Sequence, residues 1–239
     1  MPSHFEAIGV KINSMEEMEE LFSKCLEHGT EINTEYGKYY FWDMGNGAEL
    51  WGQLDSDNEA GLNPHFSGSS SFKAILEREI KDEERPAMDG SLHCQSVEGQ
   101  YPFAVDIPDM KVRKVEFPKT CSIQLSAFAQ NVDIYESEED YNKKNTSEPK
   151  FATEHFIPTG LFTDDGQTAT AHAMFGGIIK TAEKRKNSVT GLDFYYALVK
   201  TLGGEIDVVI SPDLIKDGIV LQKDYILSGH FWLSAKISG

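Results

Sequence analysis

Residues able to do chemistry are few and scattered in this 239-residue chain. Glu49, in the run Ala48-Glu49-Leu50-Trp51, is a strand-borne carboxylate of the kind that binds a divalent ion or moves a proton. Tyr36, Tyr39, Tyr40, Phe41, Trp42 and Trp51 crowd the same region with rings. Aromatic side chains fill cores and also line small-molecule pockets. Tyr40, Trp42, Glu49 and Trp51 are therefore the candidate ligand-binding set. A second cluster combines Lys180, Lys184, Arg185 and Lys186 with Phe194 and Tyr196. Cations interleaved with rings are what a single-stranded nucleic acid needs. His65, His93, His155 and His172 stand isolated. No G-x-S-x-G, H-E-x-x-H, phosphate-cradling glycine loop or zinc-spaced Cys/His set occurs, so no catalytic residue, metal ligand or cofactor is assigned.

The elements that must position these groups are legible from periodicity. Phe5, Ile8, Val10 and Ile12 read as a short strand. Ser14 with Glu17 three places on is a capping box, and Met15, Met18, Leu21, Phe22, Cys25 and Leu26 share one face of the helix that follows. Its early glutamates suit the positive helix end, and Gly29 stops it. Strand-like runs follow at 31–36, 38–42 and 48–54, the last two joined through Gly45-Asn46-Gly47. A Gly/Pro/Ser-rich break covers 61–71, and further strands are expected at 71–80, 91–97 and 101–107.

The opening Ala7-Ile8-Gly9-Val10-Lys11-Ile12, the capped helix and the strand Ala48-Glu49-Leu50-Trp51 resemble the vicinal oxygen chelate superfamily of glyoxalases, extradiol dioxygenases and bleomycin-resistance proteins over residues 4–110. The resemblance implies βαβββ modules forming a curved mixed sheet around a pocket that often holds a divalent metal. The position where such enzymes place a first-strand histidine is Ala7, and His4 falls on the opposite face of that strand. Glu49 alone matches the family's strand carboxylate. A metal-free binding member fits these residues better than an enzyme does.

The proline-flanked, locally basic stretch 108–118 marks the expected boundary, giving an α+β domain at 1–110, a linker at 111–118 and a second domain at 119–239. There, Cys121, Ile123, Leu125, Ala127 and Ala129 alternate with polar residues as a half-buried strand. Residues 133–166 are polar and irregular. A hairpin over 176–186 and 193–202, a strand at 205–210 and a last alternating strand ending at Ile237 complete five or six strands. The segment from Gly177-Ile178-Ile179-Lys180 to Phe194-Tyr195-Tyr196 resembles an oligonucleotide/oligosaccharide-binding (OB) barrel, whose long hairpin serves as a binding face. Residues 119–238 are thus expected to form a mainly antiparallel OB-like barrel.

Charge narrows the function. The chain carries 22 Lys+Arg and 39 Asp+Glu, a net −17, of which −12 falls in residues 1–120 and −5 in 121–239. That excess disfavours nucleic acid as partner, because phosphate neutralisation needs a wider basic surface. No apolar run is long enough to span a bilayer, so no membrane role is expected. Cys25, Cys94 and Cys121 form no motif, which suits a reducing, cytoplasmic setting. The expectation is a non-catalytic module that binds a small molecule or a protein, with a homodimer open. Its alternatives are a metal-dependent enzyme of the glyoxalase/dioxygenase type, or single-strand binding through the barrel.

Overall fold

A capped helix opens the regular structure of the computed structural model, which describes residues 3–82, 85–145, 150–162, 168–216 and 218–237. In α1 (Met15–His28) the Ser14 hydroxyl accepts the Glu17 N–H at 3.2 Å. The Glu17 carboxylate reaches back to the Asn13 N–H at 2.6 Å, one residue earlier than an ideal capping box. Gly29 is the C-cap, where a Cβ would lie 2.5 Å from the Cys25 carbonyl oxygen. Of the expected apolar stripe, only Cys25 is fully buried.

Four strands follow as one antiparallel sheet in chain order: β1 (Thr30–Asn33), β2 (Gly37–Asp43), β3 (Ala48–Asp55) and β4 (Ala60–Phe66). β4 occupies the stretch read as a Gly/Pro/Ser-rich break. Pro64 is tolerated because β4 is an edge strand and needs no outward N–H donor. The strand expected at residues 5–12 is instead a 3₁₀ turn at Glu6–Ile8, closed by Gly9 at φ 73°. Its apolar residues are buried against the hairpin loop at 187–192, where Asn187 Nδ2 donates to the Ile8 carbonyl and Thr190 Oγ1 to that of Gly9.

The remaining strands are β5 (Phe72–Ile80), β6 (Ser91–Ser96), β7 (Pro102–Asp106), β8 (Lys119–Tyr135), β9 (His155–Ile157), β10 (His172–Lys186), β11 (Asp193–Thr201), β12 (Gly204–Ile210) and β13 (Ile226–Ile237). A short helix, α2 (Glu138–Lys144), lies within the stretch read as irregular. Followed from neighbour to neighbour, the hydrogen bonding closes two five-membered rings: β8–β5–β6–β7–β13 and β13–β10–β11–β12–β8. The long antiparallel pair β8–β13 is common to both.

The rings are copies of one plan. In each, a three-stranded antiparallel meander leads to a long strand that pairs with the first strand of its own meander. That long strand also runs parallel to the third strand of the other meander: β7 meets β13 at Asp106↔Ser234, and β12 meets β8 at Asp207↔Ser126. Ser126 and Ser234 face each other in the β8–β13 ladder. Both are the centre of a Leu-Ser-Ala triplet, 125–127 and 233–235. The chain is therefore α+β in broad class and built mostly of strands. Strands on both sides of the expected linker share one hydrogen-bonded system, because β5 pairs with β8 across 111–118. Strands β5 to β7 thus belong to a ring instead of forming a second βαβββ module. No described helix is long and apolar enough to cross a membrane.

Candidate functional site

Register separates the aromatic set. Phe41 faces Trp51 and Asp43 faces Glu49 across β2–β3, while Tyr40 pairs with Gly52 and Trp42 with Leu50. Alternation then puts Tyr40 and Trp42 on one face and Glu49 and Trp51 on the other. The first face meets α1, where Trp42 lies 5.4 Å from His28 and the Tyr40 hydroxyl bonds Glu31 at 3.2 Å. On the second, Trp51 packs on Phe41 at 4.8 Å and edge-on to Tyr39 at 6.2 Å. The four residues do not converge on one pocket.

Glu49 is buried and already engaged. Its carboxylate accepts from Trp51 Nε1 at 3.1 Å and pairs with Lys236 at 2.5 Å. The Lys236 ammonium sits 5.1 Å from both the Phe41 and Trp51 rings. His65, the cross-strand neighbour of Glu49, has both ring nitrogens occupied: Nδ1 faces Ser234 Oγ at 2.8 Å and Nε2 faces Gln124 Oε1 at 3.0 Å. A metal at Glu49 would have to displace an ammonium beside a His65 whose two nitrogens are already engaged, so these residues do not fit the divalent ion the resemblance implies. Among the described residues no group of three or more His, Cys, Asp or Glu could hold a metal ion.

These groups instead tie the four-stranded sheet to the β8–β13 ribbon. Beyond His65, Gln124 Nε2 donates to Asp207 at 2.7 Å. Asp207 is fully buried and also accepts from the Ser69 and Ser70 N–H groups and from the Tyr196 hydroxyl, at 3.0, 2.9 and 2.9 Å. Burial, reinforced by the Lys236 charge and opposed by the Gln124 hydrogen bond, pulls the His65 pKa down to about 3. An unfolded histidine titrates near ~6.5, so between these values only the unfolded chain takes up the proton. Stability is therefore expected to fall as the pH drops from neutral. His4, pulled to about 4 by burial first and His172 second, adds to the same slope. Urea unfolding of wild type and His65→Gln at neutral pH and at about pH 5 checks this. The variant should lose less stability on acidification, and parallel slopes would contradict a neutral buried His65.

The cationic hairpin is likewise engaged internally. Phe194 and Tyr196 are core side chains, 0% and 4% exposed, and offer no stacking platform. Alternation turns them inward, onto Phe66 at 6.1 and 5.1 Å. Lys184 and Lys186 both pair with Asp193, at 2.8 and 3.8 Å. Arg185 pairs with Glu183, donates to the Asn46 carbonyl and covers the Tyr196 ring at 4.0 Å. Lys180 is half-buried on β10, before the tip.

A sizeable groove lies elsewhere, where the β1–β2 turn approaches the segment expected to be a linker. It measures about 590 Å³ and is walled by Asn33–Tyr36 on one side and Met110–Phe117 on the other, with Glu79 between. Tyr39 holds the walls together: its hydroxyl donates to the Met88 carbonyl at 2.7 Å and accepts the Lys111 N–H at 3.2 Å. Burial raises the Tyr39 pKa well above that of a free phenol, so it stays a neutral donor. Lys111 pairs with Glu79 and covers the Tyr36 ring at 5.6 Å, and Arg113 pairs with Asp109 at 3.1 Å. Lys114, Glu35 and Glu116 make no ion pair with a described residue. Residues 114–116 run without regular structure, and no backbone hydrogen bond joins 114–117 to another described residue. The groove thus offers two rings, Tyr36 and Phe117, charges of both signs, and a stretch of unpaired main chain. Periodicity did not mark it, since its walls are loops; the basic run at 111–114 was the one available signal. The chain matches no protein-family model, no curated protein and no solved structure.

Proposed function

We propose that the protein is a non-catalytic binding module that captures an extended polypeptide segment in the groove between residues 33–36 and 110–117. The observation that carries this reading is the backbone at 114–117, unpaired among the described residues, along the wall of this groove. Main chain with free N–H and C=O groups is what a peptide pairs with when it adds to a fold as a strand. A volume of about 590 Å³ holds several residues. Tyr36 and Phe117 supply ring contacts, while Lys114, Glu35 and Glu116 favour a segment carrying both signs of charge.

In this reading each ring is an OB-like barrel, five strands closed by one parallel contact. The second takes its closing strand, β8, from ahead of its meander in the chain. The barrels serve as scaffold. Single-strand binding through the hairpin lacks support, since its rings are core and its cations face their own acids.

Panning a random peptide library tests the proposal. Selected peptides should lose about tenfold or more in affinity for Val115→Pro or Glu116→Pro, because proline deletes the N–H donor while keeping an extended backbone. Peptides that bind wild type and both variants alike would contradict it.

A further inference from the structure

The amphipathic helix α1 leaves part of its apolar stripe uncovered beside an open sheet edge. Met15 is 73% exposed, and Met18 and Phe22 are only partly buried. With Ala60, Gly61 and Leu62 of β4 these side chains floor a second groove of about 520 Å³. It lies across the four-stranded sheet from β1, and none of its lining residues belongs to the first groove.

Its banks are acidic. Glu19 lines the groove, and the 100° helical step places Glu16 and Glu27 just beyond Ser23 on the solvent side. The opposite bank begins after the exposed Asp57 and Glu59. On α1, Lys24 is engaged by Glu20 at 2.7 Å and Glu27 meets only the His28 ring, at 4.0 Å, so Glu16 and Glu19 have no lysine or arginine partner among the described residues. A second copy of this chain would bring two acidic rims together, and like charges at close range repel. We infer that the α1–β4 groove docks a basic amphipathic segment of another protein, with its apolar side chains on Met15, Met18, Phe22 and Leu62 and its cations over the glutamate banks.

The test uses the full chain and a fluorescein-labelled Leu/Lys helix of about four turns, read by fluorescence anisotropy, with a Leu/Glu helix as control. The basic helix should bind, binding should weaken with added salt, and the acidic helix should not bind. Met15→Asp should weaken binding about tenfold, the loss of one buried methionine contact. Because this substitution adds a negative charge, attraction by charge alone would be unchanged or strengthened by it. The exposure of Met15 makes the variant safe for folding. Equal binding by wild type and Met15→Asp, no binding up to about 100 µM peptide, or equal binding of the acidic helix would overturn the inference. So would a wild-type dimer in sedimentation that Met15→Asp converts to monomer, since the occupant would then be a second copy.

Discussion

Lys236→Met is expected to lower the unfolding free energy by about 3 kcal/mol, although it keeps an apolar stem of the same length between the sheets. The loss comes from Glu49. Its side chain is 6% exposed, and without the ammonium a carboxylate in that position keeps only the Trp51 N–H. Removing one partner of a buried pair leaves an uncompensated charge, whereas removing both can be nearly neutral. Glu49→Gln combined with Lys236→Met should therefore recover more than half of the deficit, since Gln still accepts from Trp51. The cation's contacts with Phe41 and Trp51 are the part that stays lost, roughly 0.5–1 kcal/mol. Urea unfolding of wild type, Glu49→Gln, Lys236→Met and the double variant gives the coupling energy directly. A single-variant loss below about 1 kcal/mol, the range of exposed ion pairs, would contradict a buried pair.

Asp207→Ala is expected to cost about 3–5 kcal/mol, roughly 6–20 °C in Tm for a chain of this size. Four donors lose their acceptor at once: two backbone N–H groups of the β4–β5 connection, the Gln124 amide and the Tyr196 hydroxyl. The two-fold plan supplies an internal control. Asp106 holds the equivalent place in the other ring, and each aspartate takes a hydrogen bond from the residue two before the facing serine: Trp232 for Asp106 and Gln124 for Asp207. Asp106 otherwise binds Arg85 and Ser91, and its side chain is 20% exposed, so water can reach the donors it would abandon. Asp106→Ala should therefore cost about half as much. Equal losses, or the reverse order, would contradict the sealed environment assigned to Asp207.

Much of the framework was readable because alternation of apolar and polar residues survives burial on one face. Cys121 to Ala129 and Phe231 to Ile237 show it, and both became the shared ribbon. What alternation cannot give is a partner. The repeat stayed hidden because its two copies share little beyond the Leu-Ser-Ala triplets, and their hairpin loops, 81–90 and 187–192, differ in length. Residues 5–12 have a strand-like pattern, yet Gly9 closes a turn at a φ that ordinary residues avoid. β4 was missed for the opposite reason, since Pro64 and two nearby glycines read as a break where an edge strand accommodates them.

The site was less legible than the fold. Sequence separates odd from even positions on a strand without saying which parity faces a cavity, so it does not tell that Tyr39, and not Tyr40, reaches Lys111 in the groove wall. Phe194 and Tyr196 likewise carry the right chemistry for stacking and the wrong parity for exposure. Glu49 has a ligand's chemistry, but Lys236, its partner, lies 187 positions away along the chain. The groove itself is walled by irregular segments from two parts of the sequence with Glu79 of β5 between them, and along such walls periodicity carries no information.

Amide hydrogen exchange at residues 114–117, with and without a library-selected peptide, tests the central claim most directly. In the free chain these N–H groups have no partner among the described residues and should exchange close to the unstructured rate. On binding, alternate amides of this segment should slow by at least about tenfold as they pair with the peptide, while α1 and β4 remain unchanged. Amides already protected in the free chain, or a bound peptide that leaves all four unaffected, would contradict strand capture in this groove.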